Sequence, residues 1–293
     1  MTKHESIHTG RSLGKGACAG CPLNALPVCT ALRTADLPGA RPPRPVVLER
    51  DRPLGGDAVG SDVTGILRSG YLRMEKISHD GRRDLIGLVV PGDLIGTWLG
   101  RQQGITIEAA TTAQICSFDP ATMRRLMNSD PGLRVQLLRE TAEQHARLLE
   151  LIWRRGALSS RERIIAIMLM ATEIMPVDSL SESEVVMKVE FSRKDWASLA
   201  NTTVETVCRT LGQLSDKGLI EAITPSLFRI ADLDRLARCA GLDPKLDTGW
   251  LRQGERIQRA AQKKPVLKVN NTGRLATAAR KTPQRAGTVA RAI

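Results

Sequence analysis

"FSRKDWASLANTTVETVCRTLGQLSDKGLI", residues 191–220, decides the fold of this chain. Ser192 followed three residues later by Asp195 is a capping box, in which hydroxyl and carboxylate each take a backbone N–H at a helix start. A second helical pattern opens at Thr203 and stops at Gly218, where a glycine suits the left-handed residue beyond a helix end. Only about three residues part the two helices, so they must cross sharply as a helix-turn-helix. Trp196, Leu199, Val207, Leu211 and Leu214 are the expected small core between them. The following run "LIEAITPSLFRI" predicts two short strands around Thr224, Pro225 and Ser226, which has the form of a wing.

The second helix carries the chemistry for reading DNA. Arg209 can donate twice to guanine O6 and N7, and Glu205, one turn earlier on the same face, can accept from cytosine N4. Thr203 and Cys208 complete the set at the amino-terminal end that would meet base edges in a major groove. The plainer reading of Glu205 and Arg209 is a surface ion pair. Their setting, with a capped helix, a tight turn, a C-stop and a wing, favours DNA.

Working backwards, "EVVMKVEF" predicts a strand and "SSRERIIAIMLMATEIM" a buried helix beginning at Ser159. Between Pro131 and Gly156 only Gly132 breaks a helical stretch. Leu138, Thr141, His145, Leu148 and Ile152 recur there at alternating spacings of three and four, the seam of a helix that pairs with its twin in a homodimer. A helix lying on its own β domain is the other reading. Glu150 and Arg154 are expected on its outer face. Further upstream, "GILRSGYLRMEKISHDGRRDLIGLVVPGDLIG" has short apolar runs broken by Gly70, Asp80–Gly81 and Pro91–Gly92, which predicts hairpins of a small sandwich or barrel, with both Asp80 and Gly81 at positive φ. The Pro-rich "LPGARPPRPVV" (37–47) leads into it.

Near the front, "CAGCPLNALPVC" places Cys18, Cys21 and Cys29 within twelve residues, with Gly20 and Pro22 leaving a loop around them. No secretory leader or membrane span is visible, so a cytoplasmic location is expected, where clustered cysteines bind metal or act in redox chemistry rather than forming a disulfide framework. The net charge of +12 is mostly a tail property: residues 252–293 hold eleven Lys or Arg against Glu255 alone, leaving little for the rest. That tail reads as basic and disordered. The four histidines, at 4, 8, 79 and 145, lie in no nucleophile or metalloprotease motif and there is no phosphate loop, so an enzyme is not expected.

The stretch 191–220 resembles the winged-helix DNA-binding domain of the Crp/Fnr superfamily of bacterial transcription regulators, "VVPGDLIGTWLG" is similar to the turn of its N-terminal domain, and the seam helix matches its dimerisation helix. The resemblance implies an α+β fold: a cysteine-bearing arm (1–37), a cyclic-nucleotide-binding-type β-roll (38–130), a dimerisation helix (131–158), a winged helix-turn-helix (159–251) and the tail (252–293). It implies a homodimer on a palindromic double-stranded operator, with RNA polymerase as a partner. No Arg precedes "AATTA" where a cyclic-phosphate clasp would be, and Arg101 is the only base nearby, so cyclic-nucleotide binding is not expected. The cysteines resemble those of the FNR branch, which implies that Cys18, Cys21, Cys29 and a fourth thiolate, Cys116, hold a [4Fe-4S] cluster whose loss in oxygen weakens the dimer. All-thiolate ligation equally suits zinc, and a metal-free thiol–disulfide switch is the third reading. Cys239 is expected to be an apolar filler. Cys208 stands where that branch has a serine, which implies an altered preference at one operator base pair.

Overall fold

The computed structural model describes residues 18, 20–34, 43–54, 63–96 and 104–244. The expected tail, Arg101 and most of the Pro-rich lead-in lie outside them. A short helix α1 (Pro27–Thr34) precedes seven strands: β1 (Arg44–Leu48), β2 (Thr64–Ser69), β3 (Leu72–Ile77), β4 (Arg83–Val89), β5 (Leu94–Ile95), β6 (Ile105–Ala109) and β7 (Ala113–Phe118). They form two sheets, of order β1-β7-β2-β5 and β4-β3-β6, with every pairing antiparallel. Leu48, Leu67, Leu72, Val89, Ile95 and Ile115 fill the space between them. The β3–β4 hairpin is where the Asp80–Gly81 pair predicts it. Its loop spans Ser78–Arg82, and of the pair only Gly81 takes positive φ (80°), because Asp80 folds back to accept from Ser78 Oγ and the Arg82 N–H.

Helices α2 (Pro120–Ser129) and α3 (Pro131–Ala157) follow, each started by an aspartate cap, Asp119 and Asp130, ahead of a proline that needs no donor partner. Next come α4 (Ser160–Ile174), β8 (Val177–Ser179), β9 (Val185–Lys188), α5 (Arg193–Leu199), α6 (Val204–Asp216), β10 (Ile220–Ala222), β11 (Leu227–Ile230) and α7 (Leu233–Cys239). The strands form a sheet of order β10-β11-β9-β8, with β10 and β11 as the expected wing hairpin. Trp196 is fully enclosed, edge-on to Phe191 and Phe228, and its indole N–H donates to the Ile164 carbonyl at 3.2 Å. Among the described residues no helix is long and apolar enough to cross a membrane.

Three features tie the halves together. Tyr71 Oη donates to the Ile174 carbonyl at 3.0 Å. Arg155 reaches Asp84 on β4 and the carbonyls of Ser198 and Leu199 at the end of α5. Arg73 on β3 pairs with Asp195 of α5 at 2.6 Å, with Asp51 at 2.7 Å and with Glu108 at 2.8 Å. Arg154 is not on an outer face as expected: it is buried, joining Glu150 at 2.8 Å and the Ala166 carbonyl at 3.0 Å, and so fastens α3 to α4.

Candidate functional site

The reading head is built by caps. The Ser192 hydroxyl accepts from the Asp195 N–H, and the Asp195 carboxylate accepts from the Ser192 N–H and Oγ, the box expected from sequence. Four residues, 200–203, join α5 to α6, and Asn201 turns the chain at φ 47°. Thr203 is the N-cap of α6, its Oγ1 accepting from the Thr206 N–H at 3.2 Å, so this exposed residue has a structural duty. Gly218, at φ 65°, follows the helix end. Val207, Leu211 and Leu214 are buried against α5, which turns Glu205, Cys208 and Arg209 outward, all three exposed. Val204, also exposed, puts an apolar side chain at the first helical position.

The second element is a pocket between the front segment and the first sheet. Cys18, Cys21, Cys29 and Cys116 all line it, with Leu23, Leu32, Ile66, Phe118 and two arginines, Arg33 and Arg68. Cys29 is in α1 rather than in a loop, because Val28 and Leu32 bury the helix against a core that also holds Phe118, Met123, Leu133 and Leu137. Cys116 is brought in by β7, directly opposite Ile66 of β2. This approach requires glycine at 65, where a Cβ would stand 2.4 Å from the Cys116 carbonyl oxygen. Burial pushes the Cys29 thiol up to about 12, reinforced by Cys21, Cys116, Cys18 and Glu140 of α3. Burial likewise pushes Cys116 up to about 11, with Cys18 and Cys21 adding to it and Arg68 opposing. The thiols thus feel one another without being drawn into ligating contact: among the described residues no three His, Cys, Asp or Glu side chains are gathered as an ion would hold them. All six cysteines are free, Cys208 is exposed, and Cys239 is half-buried against the core of the C-terminal half as expected of a filler.

The donor set nevertheless fits a metal–thiolate centre. Four sulfurs face one largely apolar pocket in which no carboxylate or imidazole competes, and two guanidinium groups stand beside them.

The third element is α3. Sequence phase groups Leu138, Thr141, His145, Leu148 and Ile152 on one seam, and the structure divides them. Thr141 and Leu148 turn toward the chain's own β-roll, Thr141 donating to the Leu137 carbonyl and Leu148 approaching β4 so closely that a Cβ on Gly87 would lie 2.6 Å from its Cδ2. Leu138, His145 and Ile152 are exposed, His145 also edging the cavity between α3 and the β-roll, and with Val135, Ala142, Leu149 and Gly156 they keep an unbroken three-four spacing, with Trp153 alongside. Leu138 and Ile152, 61% and 63% exposed, are far from satisfied within one chain.

A cavity of about 230 Å³ lies behind α3, lined on the β-roll side by Val90, Asp93 and Leu94 among others. Its acidic group, Asp93, is buried, accepts from the Val90 N–H at 2.9 Å and pairs with Arg147. Arg147 is therefore already engaged.

Comparison with known proteins agrees with this anatomy. Residues 146–239 match the Crp-like helix-turn-helix domain. The chain is 28% identical to the nitrogen fixation regulation protein FixK of Azorhizobium caulinodans over 66% of this chain and 77% of that protein. It is 28% identical to the transcriptional activator protein FnrL of Cereibacter sphaeroides over 64% and 74%, and 25% identical to an anaerobic regulatory protein of Haemophilus influenzae over 80% and 93%. Among solved structures, FixK2 from Bradyrhizobium japonicum superposes with a TM-score of 0.60 at 21% identity, covering 69% of this chain and 97% of that one. A CRP-family transcriptional regulator from Thermus thermophilus superposes at 0.55 and 22% identity, covering 68% and 97%. The relatives are transcription regulators rather than enzymes. With a capped helix-turn-helix, a wing, a β-roll and a long helix joining them, the chain carries a Crp-like helix-turn-helix domain at residues 146–239 and is similar over most of its length to transcription regulators of the FixK and FnrL kind.

Proposed function

We propose that this regulator senses oxygen or redox state through a [4Fe-4S] cluster held by Cys18, Cys21, Cys29 and Cys116, and that the held state is the dimer that binds a palindromic operator. The observation that carries this reading is the convergence of all four thiols on one pocket, lined by Cys18, Cys21, Leu23 and Asn24 ahead of α1 and by α1, β2 and β7. The name of one relative, an anaerobic regulatory protein, supports an oxygen-linked reading. When bound, the cluster supplies oxygen-labile iron–sulfide bonds as the signal.

The chain's own residues supply the coupling. Leu26, Val28 and Leu32 of the front segment share a core with Leu133 and Leu137, the first turns of α3. Fixing Cys29 and Cys116 to a common centre holds α1 on β7 and thereby holds the base of α3. The outward stripe from Val135 to Ile152 then meets its copy across a two-fold axis, and Trp153 extends that contact. Paired subunits present two α6 helices about one DNA turn apart. Glu205 and Arg209 read base edges, Val204 offers a surface for a thymine methyl, and Cys208, a weaker donor than a serine, alters one outer position. A single subunit keeps one half-site's contacts, so occupancy falls steeply when α1 is released.

The test is Cys116→Ser and Cys29→Ser in full-length protein purified without oxygen. Both lose iron, sulfide and specific operator binding together, while the circular dichroism of the fold stays. Tight operator binding by an iron-free Cys116→Ser dimer overturns the coupling.

A further inference from the structure

Four thiolates around a divalent ion, or around a [4Fe-4S] core of the same charge, leave two net negative charges. The pocket that would hold them is lined mostly by Leu23, Leu32, Ile66, Pro43 and Phe118, a poor medium for charge. Two cations also line it. Arg68 is the residue left over where the β2–β7 register slips: Leu67 pairs with Ile115 and Ser69 with Gln114, so Arg68 has no ladder partner. Such a bulge re-aims a side chain. Arg33 comes from the last turn of α1, one helical turn after Cys29. Both are half-buried, and among the described residues neither guanidinium has a hydrogen-bond or ion-pair partner. Arg73, Arg147, Arg154, Arg155 and Arg163, which bridge elements, are each paired with carboxylates or carbonyls, whereas half-buried Arg161 of α4, whose Nε also lacks a partner, does not line this pocket.

We propose that Arg68 and Arg33 are the counter-cations of the metal–thiolate centre, positioned by the β2 bulge and by α1 to offset its two negative charges. This rests on the reading of the four thiols as ligands. Neither residue is itself a ligand, since guanidinium has no free donor pair. Their work is electrostatic: they favour the four-thiolate anion over the protonated, metal-free pocket, and they oppose Glu140, which acts on Cys29 from α3. The plainer role for Arg33, satisfying carbonyls at the end of α1, predicts no effect on metal binding.

The test uses full-length protein with cobalt(II) as the probe, because thiolate–cobalt charge-transfer and ligand-field bands report four-sulfur ligation directly. Affinity is read by competition with a chelator. Arg68→Gln and Arg33→Gln keep the four-thiolate spectrum and weaken cobalt about 10- to 100-fold, the range for outer partners of metal ligands. Arg68→Lys recovers most of the loss, and thermal unfolding of the metal-free variants matches the parent. Unchanged cobalt affinity in both Gln variants overturns the assignment. A parent chain that gives no thiolate–cobalt band overturns the ligand reading itself, and the counter-cation role with it. Should Arg68→Gln fail to fold, Arg33→Gln, at the helix end, decides the assignment by the same readout.

Discussion

Truncating Ile152 to alanine tests whether α3 pairs through its outward stripe. Fully burying an isoleucine side chain is worth about 1.5–3 kcal/mol. Ile152 is 63% exposed in the single chain, and alanine retains its Cβ, so the truncation forfeits about 1–1.5 kcal/mol of burial per chain. A two-fold interface counts the change twice, giving about 2–3 kcal/mol. That corresponds to a dimer dissociation constant raised about 30- to 150-fold. Sedimentation equilibrium of anaerobically purified protein reads this directly. Thr141→Ala is the matched control, because Thr141 faces the chain's own β-roll and its hydroxyl bonds the Leu137 carbonyl. It leaves dimerisation unchanged. Equal weakening by Thr141→Ala and Ile152→Ala, or no weakening by Ile152→Ala, would refute the assignment of the outward face.

Other outcomes follow from named contacts. Arg209→Ala keeps the fold, since its side chain is exposed, and loses about 1–3 kcal/mol of base discrimination per half-site, measured by competition with operators changed at one position. Arg73→Ala leaves Asp195 buried without its cation and costs about 3–5 kcal/mol of stability in urea unfolding. Glu173 is buried in α4, and burial holds its carboxyl well above the ordinary 4.5, against the pull of Arg154 and with some help from Glu150. The native state therefore keeps this proton longer than the unfolded chain does. Its stabilising effect is complete below the ordinary value and is lost as pH rises through the window above 4.5. Glu173→Gln flattens that part of the stability–pH curve, and an unaltered slope would show that the carboxyl is not buried in solution.

How much of this is legible in sequence follows from the range of each signal. The helix-turn-helix rests on signals within three or four residues, Ser192–Asp195, Thr203 and Gly218, and all of them appear as read. The hairpin at Asp80–Gly81 is also local, though its loop is longer than the dipeptide suggests. The phase of α3 is not legible. Leu138, His145 and Ile152 fit two overlapping three-four series, and α3 is apolar on both sides because it packs on the β-roll with one face and leaves the other open. Only the packing of Leu148 against Gly87 shows which series turns inward. Arg154 misleads for the same reason: a helix flanked on two sides has little outer face. The thiol set is visible as residue types, and Cys116 is drawn in by the resemblance to a known branch. That Cys29 sits in a helix depends on Val28 and Leu32 finding Leu133 and Leu137, about a hundred residues on, a contact no local pattern encodes. Arg68 carries no sequence signal, since its role depends on a register slip between two strands.

The central claim is that four thiolates hold an oxygen-labile cluster. Iron and acid-labile sulfide per chain, measured in protein purified without oxygen while the visible spectrum is followed on admitting air, test it most directly. About four of each, with a broad absorption band that bleaches in air, is the predicted result. Zinc in the pocket, or no metal at all, would contradict it.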